Sequence, residues 1–359
     1  MDRIDLATVA VTAGRPARAP DAPLNTPIVP ASAFYAGGPT EYAREGGPTI
    51  AALEQTVAAL ESVNLSRSAK AIAFSSGMAA AEALLDLVPL GGRVIAPSTT
   101  YTGVGVRLRE LHDKGAIDLT LVDVVDTERI LDEITTGAAL LWLESPTNPL
   151  LEVADLPTLL AAARKMGMRS VVDNTFATPV LQRPLEVGAD VVLHSATKGL
   201  SGHSDLLMGA LVTTDDELME QLHSRRVLLG AAPSSFDAYL AIRGIRTLPL
   251  RVQRARGSAE LIAGRLAKES EVSSVRHFGT MISIEFHGDV ARAEHLCTNT
   301  RIWVYATSLG GVESSLERRR RWPLESERVP PDLVRLSVGI EDPEDLWADL
   351  HAALHGGKH

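Results

Sequence analysis

The sequence predicts an α/β protein, with a mostly parallel sheet in a large domain and a smaller α+β domain toward the carboxyl end. Three observations predict it. Short apolar runs alternate with helix-length segments between about residues 70 and 195; these runs carry Val, Ile and Leu at consecutive positions; and the texture changes after about residue 230. Consecutive apolar positions mark strands covered by helices on both faces, and strand–helix alternation marks parallel pairing.

In chain order, Pro16, Pro20, Pro23, Pro27, Pro30 and Pro39 recur through the first segment, with Gly37-Gly38. Proline removes a donor and fixes φ, so residues 1–48 read as an extended arm and not as a packed element. A helix is expected near Thr49, which reads as its N-cap, followed by Ala51, Leu53, Val57 and Leu60. Strands follow at 71–74, 93–96, 119–122, 139–143, 170–172 and 190–193, with helices such as 76–88 and 155–166 between them. The large domain is placed at 49–232. Residues 233–359 read as the second domain. It opens with a basic helical stretch (Arg243, Arg246, Arg251, Arg254, Arg256), continues with antiparallel strands at 280–287 and 302–306, and closes with an amphipathic helix after Pro343.

Composition narrows the function classes. The 359 residues carry 35 Lys+Arg against 45 Asp+Glu, a net charge of −10, with 45% hydrophobic residues. An acidic surface repels phosphate backbones, so nucleic acid is not an expected partner. Cys297 is the only cysteine, which excludes an intrachain disulfide and a multi-cysteine metal site and fits a reducing compartment. Met1-Asp2-Arg3-Ile4-Asp5 places acids where a signal peptide needs basic residues, and no apolar stretch approaches the roughly 18 residues of a membrane span. A cytoplasmic protein without membrane partners is expected.

Chemistry is expected at the carboxyl ends of the parallel strands. Ser75-Ser76-Gly77-Met78 follows the first strand and opens a helix, whose free N–H groups and positive dipole end suit a phosphate. Asp173 ends the fifth strand; Ser195, Thr197 and Lys198 follow the sixth. A phosphate cradle, a lysine and a strand-end aspartate on one rim fit pyridoxal 5′-phosphate (PLP). Its aldehyde condenses with a lysine amine and its ring nitrogen needs an acid to stay protonated. Other motifs read as structure. His194, in an apolar strand, is a hydrogen-bonded core histidine; His351 and His355, four residues apart without carboxylate support, are a solvated face; Arg318 to Arg321 is a surface run. No metal site is expected.

The segments 172–179 (VDNTFATP) and 188–198 (GADVVLHSATK) closely resemble the signature of the Cys/Met-metabolism (trans-sulfuration) family of PLP enzymes. Further matches in family order are 75–78 (SSGM), 144–149 (ESPTNP), 202–205 (GHSD), 308–314 (SLGGVES) and 336–342 (LSVGIED). The resemblance implies the fold-type I PLP architecture and a homotetramer of tight dimers with active sites at the subunit interface. By position, Lys198 is the cofactor-linking lysine and proton shuttle, and Asp173 pairs with the pyridine nitrogen. Gly77, Met78, Ser195 and Thr197 hold the phosphate, and Tyr101 stacks on the ring and assists proton transfer. Asn148, Ser308 and Arg335 bind the substrate, the guanidinium clamping its α-carboxylate. Tyr42 and Arg44 match the family's Tyr-x-Arg, which reaches the neighbouring subunit's phosphate.

The departures bear on the substrate. Gly199 replaces the usual aromatic residue after the lysine, and Thr307 replaces a glutamate common in cystathionine γ-lyases and γ-synthases. The chain is also trimmed near 270–280, and Arg318 to Trp322 replaces an ordinary loop. The resemblance implies a PLP-dependent carbon–sulfur lyase or γ-replacement transferase of amino-acid metabolism. The expected reaction is that of a cystathionine γ-lyase, yielding cysteine, 2-oxobutanoate and ammonia. Cystathionine γ-synthase, O-acyl-homoserine sulfhydrylase and cystathionine β-lyase are alternatives, and a catalytically silent PLP-binding paralogue is the reading outside enzymology.

Overall fold

A computed structural model describes residues 4–356. Seven strands form the first sheet: β1 (Lys70–Phe74), β2 (Gly92–Pro97), β3 (Ile117–Val122), β4 (Leu140–Glu144), β5 (Arg169–Asp173), β6 (Val191–Ser195) and β7 (Gly209–Thr213). Their order is β1-β7-β6-β5-β4-β2-β3. All neighbours are parallel except β7, which runs antiparallel to both β1 and β6. The first six lie where the apolar runs place them. β7 was not anticipated, and its opening Gly209 hides it: a Cβ there would collide with the Ser76 carbonyl, so close packing demands glycine.

The first half of the helical set is α1 (Leu6–Thr12), α2 (Pro48–Glu61), α3 (Gly77–Leu85), α4 (Thr102–Asp113), α5 (Thr127–Thr135) and α6 (Leu156–Lys165). The second half is α7 (Thr178–Leu181), α8 (Asp216–Leu229), α9 (Ser235–Ile245), α10 (Leu248–Leu266), α11 (Val290–Asn299) and α12 (Pro343–Leu354). Apolar layers cover both faces of the sheet. Leu53, Val57, Leu141 and Val192 lie in one layer, and Phe74, Trp142, Val171 and Leu193 in the other. Adjacent residues such as Leu141 and Trp142 point to opposite layers, the reason the strand runs are continuously apolar.

Two expectations near the amino end fail. Residues 6–12 form α1, capped by Asp5 and packed on α2, because the prolines begin only at Pro16 and leave this stretch free to coil. Thr49 is not the N-cap of α2: Gly47 is, with Pro48 in the first turn. The Thr49 hydroxyl instead donates to Pro27 O (2.8 Å) and accepts from Val29 N (3.0 Å), fastening the preceding chain to the helix. Residues 30–45 then make a short ladder, with Ala33 bridged to Tyr42 and Phe34 N bonded to Glu41 O. Its far end is held where Arg226 and His223 reach Glu45 O.

The second sheet contains β8 (Ser274–Phe278), β9 (Met281–Glu285), β10 (Val304–Tyr305), β11 (Ser315–Arg318) and β12 (Val334–Ser337), in the order β10-β11-β12-β9-β8. β9 is antiparallel to β8 and β12, as expected for 280–287. The strand expected at 302–306 shrinks to β10, which pairs with β11 in parallel. The Arg301, Ile302 and Trp303 amides donate to Asp349 of α12, and the buried Trp303 indole donates to Leu346 O, so this backbone docks on a helix. Ile262, Ile284, Trp303, Leu336 and Leu350 join the core beneath the sheet. No helix among the described residues is long and apolar enough to cross a membrane.

Candidate active site

A cavity of about 250 Å³ opens where the carboxyl ends of β4, β5 and β6 face the 307–309 loop and β12. Ten expected site residues line it: Gly77, Met78, Tyr101, Asn148, Asp173, Ser195, Thr197, Lys198, Ser308 and Arg335. Tyr42 and Arg44 do not. They sit together on the hairpin of residues 30–45, the guanidinium carbon 4.4 Å from the Tyr42 ring centre.

The expected phosphate cradle is the start of α3. Ser76 caps it by accepting from Ala79 N, which leaves the Gly77 and Met78 amides without intrahelical acceptors. A Cβ on Gly77 would sit 3.0 Å from Ser195, so glycine lets the helix end approach β6. The Thr197 hydroxyl is engaged by Met208, accepting from its N–H at 2.9 Å and donating to its carbonyl at 3.2 Å.

Two carboxylates end neighbouring strands, Glu144 on β4 paired in register with Asp173 on β5. Both are buried. Asp173 accepts from Thr175 N (3.0 Å) and has no Lys or Arg ion pair among the described residues. Burial pushes its carboxyl up, against the Thr175 hydrogen bonds. Glu144, which the sequence reading left within a motif and gave no role, accepts from Tyr101 N (2.7 Å), Asn148 N (2.8 Å) and the Thr100 hydroxyl. It therefore positions two expected site residues at once. Burial, and then the Asp173 charge, push it up to about 8 despite those donors. Its signal in the sequence is the one Asp173 gives: an acid as the last residue of a buried strand.

Lys198 follows β6, and its Nζ donates to Ser308 Oγ at 2.8 Å. Burial, then the charge of Arg335, lowers its pKa to about 8, opposed by Glu317. Ser308 holds φ 94°, a strained left-handed value for a residue with a side chain, and its carbonyl accepts from Arg335 Nη2 at 2.8 Å. Arg335 is buried on β12, bonded to Asn148 Oδ1 (2.8 Å) and to Glu317 Oε1 (2.7 Å), its cross-strand partner on β11.

Arg319 corrects the reading of residues 318–321 as a surface run. A short turn after β11 carries it inward, where it is buried, lines the cavity and pairs with Glu317 (2.6 Å) and Glu325 (2.9 Å). Arg318 pairs outward with Glu294. Thr307 also lines the cavity and donates to Glu317 at 3.2 Å. His194 is the core histidine it was read to be, buried with Nε2 2.6 Å from Glu61 Oε1.

These residues fit PLP. Asp173 is a buried carboxylate lacking a cation, as a protonated ring nitrogen requires, and a helix start and a half-buried lysine face the same cavity. A PLP-dependent α/β enzyme is the class that this fold and cavity define. A family profile described as Cys/Met metabolism PLP-dependent enzyme matches residues 7–355, and the chain belongs to that family. It is 42% identical to the cystathionine gamma-synthase of Mycobacterium tuberculosis (strain ATCC 25618 / H37Rv), over 97% of this chain and 96% of that one. It is 34% identical to the cystathionine gamma-lyase of Dictyostelium discoideum, over 88% and 87%. The crystal structure of cystathionine gamma synthase from Xanthomonas oryzae pv. oryzae in complex with cystathionine superposes with a TM-score of 0.93 at 34% identity, covering 99% and 98%. The chain is thus a PLP-dependent enzyme of trans-sulfuration and cysteine and methionine metabolism.

Proposed function

We propose that the enzyme acts at the γ-carbon of a homoserine-derived amino acid, cleaving or forming the carbon–sulfur bond of cystathionine. The observation that carries PLP chemistry on an amino acid is the cavity bringing Lys198, Tyr101 and Asp173 together with Arg335, and the γ-carbon assignment rests on the likeness to a cystathionine gamma-synthase and a cystathionine gamma-lyase. Arg335 offers its fork to the substrate α-carboxylate, Asn148 steadying one arm of the fork and Ser308 O the other. That pose sets Cα toward Lys198, whose Nζ is held beside Ser308. With its pKa near 8, Lys198 is uncharged often enough near neutral pH to take protons from Cα and then Cβ. PLP, when bound, supplies the electron sink that stabilises the carbanion so formed. Asp173 would keep the ring nitrogen protonated, Gly77, Met78 and Ser195 would hold the phosphate, joined by Thr197 once its proton turns away from Met208 O, and Tyr101 would carry the proton to or from the leaving group.

Elimination from cystathionine is the first expectation from the sequence. Replacement, joining cysteine to an acyl-homoserine, is the second reading, supported by the 42% identity to a γ-synthase. Incubation with cystathionine alone, and with O-succinyl- or O-acetyl-homoserine plus cysteine, separates them by product. Release of 2-oxobutanoate from cystathionine supports elimination and new cystathionine supports replacement. Pyruvate from cystathionine would move the chemistry to Cβ, and no product from either mixture would overturn the γ-carbon reading. We also propose that Tyr42 and Arg44 serve a neighbouring copy's phosphate within a homo-oligomer. Light scattering and loss of cofactor on dilution test that arrangement, and a monomer retaining PLP as firmly as the concentrated protein would refute it.

A further inference from the structure

His351, in the last turn of α12, and His355, its C-cap, stand four residues apart on one side of the helix end. The neighbouring Asp349 is taken up by the Arg301, Ile302 and Trp303 amides, and the fold supplies another carboxylate. The turn after α10 brings Glu269 against both rings, with Oε2 3.0 Å from His355 Nε2 and Oε1 3.9 Å from His351 Nε2. The two imidazole centres lie 4.4 Å apart, and one ligand atom from each of the three side chains falls within 4.8 Å of the others. Donors bound at about 2.0–2.2 Å to one tetrahedral ion lie roughly 3.3–3.5 Å from each other, so small side-chain rotations suffice to converge them. Glu271 Oε1 sits 3.6 Å from His355 Nδ1. A carboxylate there would hold the proton on Nδ1 while an arriving cation takes the place of the Nε2 proton now shared with Glu269, that proton leaving to solvent.

We propose that Glu269, His351 and His355 form a surface site for a divalent cation of the zinc class, away from the cofactor cavity. Two imidazole nitrogens and one carboxylate oxygen suit Zn²⁺, Co²⁺ or Ni²⁺ and not the all-oxygen shells of Mg²⁺ or Ca²⁺. Both histidines are exposed, so water completes the coordination. The ion would tie the C-terminal helix to the end of α10, joining elements that pack on each other through the small-domain core. Its role is a cross-link, with no part in turnover.

The test uses the cofactor-loaded enzyme, freed of metals with a chelator and titrated with Zn²⁺ by calorimetry and with Co²⁺ by absorbance. One ion per chain is expected, with a rise in Tm. The His351→Gln/His355→Gln double variant should lose that ion and that rise while its metal-free turnover stays as in the parent. Glu271→Gln should weaken binding about tenfold through the tautomer. No Zn²⁺ bound by the parent, or the same stoichiometry and Tm rise in the double variant, overturns the proposal.

Discussion

The two rims of the cavity are built on opposite electrostatic plans. On the large-sheet rim, Glu144 and Asp173 stand side by side with hydrogen-bond donors but no cation. On the small-domain rim, Arg335 and Arg319 are interlocked with Glu317 and Glu325, two charges of each sign, all buried. The first rim is incomplete until something cationic arrives, and burial pushes both of its carboxyls up. The second is balanced beforehand: burial would raise Glu317, yet Arg335 and Arg319 hold it below its ordinary value. On the proposed assignment, the difference separates a rim that would receive the cofactor from a rim that would hold a substrate clamp in a fixed pose.

That contrast can be broken by mutation, beginning at the lysine between the rims. Lys198→Ala should lower kcat by about 10⁴-fold, the upper range for a lost acid–base group, with borohydride no longer fixing cofactor to the chain by mass. Residual turnover within tenfold of the parent would remove Lys198 from the chemistry. On the balanced rim, Glu317→Gln leaves the buried Arg335 without a carboxylate and Arg319 with Glu325 alone, and should cost about 3 kcal/mol in urea unfolding while raising KM. An unchanged midpoint would mean that the network is not what fixes Arg335. Tyr101→Phe should lower kcat about 10²-fold with little change in KM; a KM effect alone would reduce Tyr101 to a binding surface.

On the incomplete rim the effect is read against pH. Glu144 has a native pKa of about 8 against an ordinary 4.5, so the folded chain keeps a proton that the unfolded chain releases between those values. Its stability contribution is present below about pH 4.5 and is lost as pH rises through about 8. The Tm of cofactor-free Glu144→Gln, relative to the parent, should therefore climb between pH 5 and pH 9. A flat difference would show that the carboxylate is already ionised across that range.

The same contrast explains what the sequence makes legible. Asp173, Ser195 and Lys198 follow apolar runs, and a parallel sheet gathers such ends at one edge, so the large-sheet rim is readable from strand order alone. Arg335 and Ser308 came only through the family resemblance, since nothing local distinguishes them from other polar residues. The inward turn of Arg319 was not readable, because four consecutive arginines have the composition of a solvated run and only the turn after β11 sets which one faces Glu317 and Glu325. Thr49 misled for a related reason: a threonine before an apolar helical run has capping chemistry, and only the folded chain shows Pro27 and Val29 claiming its hydroxyl. Glu269 lies 86 residues from His355, beyond any local pattern.

The hairpin of residues 30–45 is moored at both feet, by Thr49 on one side and Arg226 on the other. Tyr35 at its tip is wholly exposed, and Tyr42 is 42% exposed. A tail tethered at one end would surrender its freedom upon docking, whereas this finger surrendered it when the chain folded. A surface that settles on these tyrosines meets a shape already made, and little ordering entropy opposes the encounter.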